Sequence, residues 1–60
     1  MVEDFVVLLR GLMIEEFNYS DADADSLIKK YPDIIMRGIM SGNFALRATV
    51  MAIQMKEEGK

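Results

Sequence analysis

Between Val2 and Phe17 the apolar residues return every three or four positions. Val2, Val6, Leu9, Met13 and Phe17 fall on one stripe, and Phe5, Leu8 and Leu12 on the stripe beside it. That interval is the α-helical period and predicts a helix over 2–17. Residues 5–9, rich in valine, also read as a short strand. The helix is preferred because the pattern continues in phase past Gly11, although a glycine inside a helix costs about 1 kcal/mol relative to alanine.

Asn18 and Tyr19 interrupt the pattern, and Ser20 is suited to cap a second helix, its hydroxyl accepting from the backbone N–H three residues on. That helix is predicted over 21–30, with Ala24, Leu27, Ile28 and Tyr31 inward and Lys29 and Lys30 at the end that favours cations. Pro32 disfavours a helical Tyr31 and suits the first turn of a third helix, 33–41, which buries Ile34, Ile35 and Ile39 and in which Gly38 permits a close approach by another helix. Gly42 is read as the left-handed stop and Asn43 as the cap of a fourth helix, 43–58. The expected fold is all-α: one domain, 1–60, a bundle of three to four short helices.

The fourth segment carries two apolar stripes. Phe44, Ala48, Met51, Ala52 and Met55 form one, and Leu46, Val50 and Ile53 the other; Arg47, Gln54 and Glu58 mark its polar edge. A surface helix needs one such stripe. A 60-residue chain buries only about 60% of the surface its unfolded form exposes, too little to cover both sides of two helices. A homodimer supplies the missing cover, with Phe5, Leu8, Leu12, Leu46, Val50 and Ile53 expected at its interface.

Composition narrows the chemistry. With neither cysteine nor histidine, disulfides and the usual zinc ligands are ruled out, which leaves oligomerisation to supplement a small core. No uninterrupted apolar run reaches the roughly 18 residues of a membrane span, and the apolar residues 5–9 follow two acids where a signal peptide carries bases, so the expectation is a cytoplasmic chain with no membrane partner. The net charge of −3 divides unevenly: residues 1–25 hold seven acids and one base, residues 26–60 six bases and three acids. Such a division can orient two copies head to tail or reflect helix ends preferring particular signs, and the second reading is preferred.

Asp21, Asp23 and Asp25 have the alternate spacing of a calcium loop, but Ser26 stands where the loop needs glycine and Pro32 where it needs glutamate. They read instead as acids in the first turn of a helix, with no metal. A helix-turn-helix over 33–58 is the alternative function, a small DNA-binding regulator whose contacts would be Lys29, Lys30, Arg37 and Arg47. Its recognition helix offers only Asn43 and Arg47 to base edges, and an acidic chain lacks the broad basic surface that binds phosphate, so nucleic acid is not the favoured partner. Six methionines, among them the i, i+4 pairs Met36–Met40 and Met51–Met55, suit core or dimer packing, or a groove that receives another protein's helix.

The neighbouring acids Glu15–Glu16 and Glu57–Glu58 cannot converge on a substrate from a helix, and neither a histidine base nor a phosphate-binding glycine loop is present. No catalytic residue and no cofactor is expected; Lys29 or Lys30 is expected to offset Glu15 and Glu16. The resulting expectation is a small helical interaction module or regulator, homodimeric and with a further protein partner, of a size class common among phage and mobile-element products.

Overall fold

In the computed structural model, which describes residues 2–41 and 45–59, the chain forms four helices: α1 (Val2–Glu16), α2 (Asp21–Lys30), α3 (Pro32–Met40) and α4 (Leu46–Gly59). Each break has a local cause. Asn18 adopts a left-handed φ of 61°, a conformation asparagine tolerates better than most residues. The Tyr19 N–H there turns back to the Met13 carbonyl at 3.1 Å. Ser20 caps α2 as expected, its Oγ accepting from the Asp23 N–H at 3.1 Å. Tyr31, held at φ −125° and ψ 61° ahead of Pro32, ends α2 and begins α3 with no intervening loop.

The fourth helix starts at Leu46, three residues later than its sequence suggests. At its start the Ala45 carbonyl takes the Thr49 N–H at 2.9 Å and the Thr49 hydroxyl at 2.7 Å. The expected caps Gly42 and Asn43 lie outside the described residues. At the end of α3 the Ser41 hydroxyl donates to the Gly38 carbonyl at 2.8 Å.

The core takes Phe5, Leu9 and Met13 from α1, Ala24 from α2, Ile35 from α3, and Val50 and Ile53 from α4. Helix α1 thus faces inward along a line running between its two apolar stripes. Three of the six expected interface residues are thereby corrected: Phe5 is 2% exposed, and Val50 and Ile53 are 0% exposed, within the single chain. The reason is Gly38. A Cβ built there would stand 2.3 Å from Thr49 Oγ1 and 3.0 Å from Phe5 Cζ, so its absence lets α3 settle directly on α4 and close over Phe5. The radius of gyration, 10.4 Å, equals the roughly 10 Å expected of a packed chain of this length. One copy therefore closes a core by itself.

Candidate functional site

Among the described residues three polar straps tie the helices together, and they account for most of the residues that resembled chemistry in the sequence. Arg10 on α1 reaches the start of α2, its Nε 2.7 Å from Asp25 Oδ1 and a terminal nitrogen 3.6 Å from Asp21 Oδ2. The hydrogen bond and charge of Asp25, with help from Asp21, raise the Arg10 pKa above its ordinary value. Two of the three aspartates thus serve an arginine. Asp23 stands apart, beside a shallow hollow it shares with Tyr19, Ser26 and Lys30. Among the described residues no three acidic side chains come together as a cation cage.

The second strap joins α2 and α3 to the end of α4. Lys30 Nζ lies 2.7 Å from Glu57 Oε2, and the Tyr31 hydroxyl donates to the same carboxylate oxygen. That hydrogen bond, followed by partial burial and the Glu57 charge, pushes the Tyr31 phenol above its usual pKa. In the third strap Arg47, at the start of α4, pairs with Glu16 at the end of α1. The compensation expected of Lys29 or Lys30 is therefore supplied by Arg47, because the α1–α4 contact brings the first turn of α4 against the last turn of α1.

These straps bear on the nucleic-acid alternative. Lys30 and Arg47 each hold a carboxylate, and Glu57, the partner of Lys30, lies ten residues from Arg47 on α4, about 15 Å along the helix. Lys29 and Arg37 are exposed. The four bases are spread over both ends of the bundle and do not form one basic face.

What the surface does offer is apolar. A folded monomer of 6.8 kDa exposes about 4,000 Å² by size scaling, and this chain exposes 4251 Å². Area alone does not set it apart; the content of that area does. Val7, Leu8, Met36, Met40, Met51 and Met55 are all between 49% and 77% exposed. Leu8, with Val7, Gly11, Leu12 and Leu46, lines a shallow groove of about 340 Å³ where α1 meets the start of α4. Leu8, Leu12 and Leu46 are the part of the expected interface that remains at the surface.

The larger apolar face was only half legible. On α4 the helical period puts Ala48, Met51 and Met55 opposite the buried Val50 and Ile53, and Ala52 between that outer line and α3. Ala48 and Ala52 also border a shallow groove of about 200 Å³ floored by Gly38, Ala45 and Thr49. The signal was present as the i, i+4 methionine pair alternating with alanines, but periodicity cannot say which of two stripes turns inward. No known protein family, curated protein or solved structure matches this chain, so its surface chemistry is what a functional reading has to rest on.

Proposed function

We infer that the chain is a helical interaction module that works as a homodimer, binds a further protein, and carries out no catalysis of its own. The supporting observation is the set of six large apolar side chains left in solvent by a chain that has already closed its own core. Isolated exposed apolar residues are ordinary, but contiguous ones on one helix mark association sites. Met51 and Met55, with Ala48 beside them, are such a set. Methionine adds adaptability, since its unbranched thioether fills irregular gaps in a partner surface. No helix among the described residues is long and apolar enough to cross a membrane; we assign the module to the cytoplasm, a reducing setting that suits a chain without cysteine.

Sedimentation equilibrium tests the reading. A mass approaching twice 6.8 kDa that falls on dilution supports it. A folded monomer persisting at about 100 μM removes it. The helix-turn-helix alternative finds no specific support in the surface. A gel-shift survey on random-sequence duplex at low and high salt distinguishes it, since DNA binding through Lys29, Lys30, Arg37 and Arg47 would weaken steeply with salt.

A further inference from the structure

We propose that the outer face of α4 is the dimer contact, with a second copy's α4 lying antiparallel across it; the proposal rests on the homodimer reading and names its surface and its register. Helix α4 is 14 residues long, about 21 Å. Along its outer face run Ala48, Met51, Ala52 and Met55, alternately small and large. A two-fold axis placed between Met51 and Ala52 sets Met55 against the second copy's Ala48 and brings the two Met51 side chains together beside the axis. The long Met55 thioether then meets the short Ala48 side chain, and by symmetry that contact occurs twice, on either side of the Met51 pair. Ala48 borders the groove floored by Gly38, Ala45 and Thr49, so the incoming Met55 has depth to occupy. The face is complementary to itself, which is what an isologous contact requires.

Charge agrees with that register. The helical period places Arg47 and Glu58 on one edge of the stripe, Arg47 near its start and Glu58 near its end, and both are exposed. In an antiparallel pair related by a two-fold, equal edges meet with their ends reversed. Arg47 of one copy therefore comes opposite Glu58 of the other, within the reach of an arginine, and the pair occurs twice. A parallel pairing would carry that edge to the far side of the second copy, so Arg47 and Glu58 would not meet across the contact at all. The groove at Val7 and Leu8 has no such internal complement, since Glu15 is the charged side chain in its lining.

The test uses the whole chain in sedimentation equilibrium, with circular dichroism to establish that each variant is folded. Met51→Glu and Met55→Glu alter side chains 55% and 71% exposed, and each is expected to raise the dimer Kd at least about tenfold. Glu58→Arg is expected to raise it by roughly threefold to tenfold, two exposed pairs being lost at once. Combining Glu58→Arg with Arg47→Glu and, to keep the strap to α1, Glu16→Arg restores the wild-type Kd, and Val7→Glu leaves it unchanged. If the wild-type chain dimerises while both methionine variants keep its Kd, the surface assigned to the contact is wrong and the homodimer stands. If the combined charge reversal binds no better than Glu58→Arg alone, the antiparallel register is wrong. A wild-type chain that remains monomeric at about 100 μM overturns the surface and the homodimer together.

Discussion

Replacing Gly38 by alanine tests the close packing of α3 on α4, the contact that decides which stripe of α4 is buried. The new methyl would lie 2.3 Å from Thr49 Oγ1, 3.0 Å from Phe5 Cζ and 3.5 Å from Thr49 Cβ. The first distance lies far inside van der Waals contact. Thr49 has little room to yield, being 4% exposed and committed through its hydroxyl to the Ala45 carbonyl at 2.7 Å. Overpacking of this kind costs about 1–3 kcal/mol, and displacing the hydroxyl costs about 1 kcal/mol more. Against this, alanine in a helix gains about 1 kcal/mol over glycine. The net expectation is a loss of about 2 kcal/mol, a large share of the roughly 3–9 kcal/mol a domain of this size commands.

In a thermal melt followed by circular dichroism at fixed chain concentration, that loss lowers Tm by about 8–16 °C. Adding Thr49→Ala removes the offending oxygen and leaves Cβ at an ordinary distance, so G38A and T49A together should be more stable than the sum of the two losses by about 1 kcal/mol or more. Rescue is partial because Phe5 stays close. If G38A melts at or above the wild-type temperature, or the two substitutions are additive, α3 does not sit on α4 through a Gly38–Thr49 contact.

Gly11 supplies the contrasting case, since a Cβ there meets nothing within 4 Å: Gly11→Ala should stabilise by about 1 kcal/mol in urea unfolding, and a loss would show that α1 is crowded at that point. Ser20→Ala removes the acceptor for the Asp23 N–H and should cost about 1 kcal/mol; an unchanged urea midpoint would show the cap to be idle. The Tyr31 phenol has its pKa raised in the folded chain by Glu57, so the unfolded chain loses that proton first as pH climbs. Its contribution is fully present below about pH 10 and is lost as pH rises through the folded value. Urea midpoints should fall over that alkaline range more in the wild type than in Tyr31→Phe, and parallel profiles would refute the Tyr31–Glu57 hydrogen bond.

Local structure could be read from the sequence to the extent that its causes are local. The helical period, the Ser20 cap and the break at Tyr31-Pro32 each depend on residues a few positions apart, and the structure contains all three. The role of Gly38 was also visible, since a glycine inside an isoleucine-rich helix suggests close contact. The orientation of α4 was not visible. It is set by Gly38 meeting Thr49 and by Arg47 meeting Glu16, the second pair 31 residues apart. Two stripes of nearly equal hydrophobicity gave no preference. Phe5, Val50 and Ile53 were consequently expected at an interface that Met51 and Met55 are better placed to form. The aspartate run misled for a related reason: the partner that explains Asp21 and Asp25 is Arg10, on the helix before.

Isotope-filtered NMR on an equal mixture of labelled and unlabelled chain observes most directly whether a second copy covers the outer face of α4. Magnetisation transfer between chains is predicted from the Met55 methyl to the Ala48 methyl and between the two Met51 methyls. Transfer confined to Val7 and Leu8, or none between chains at a concentration where Met51 and Met55 remain in solvent, would contradict it.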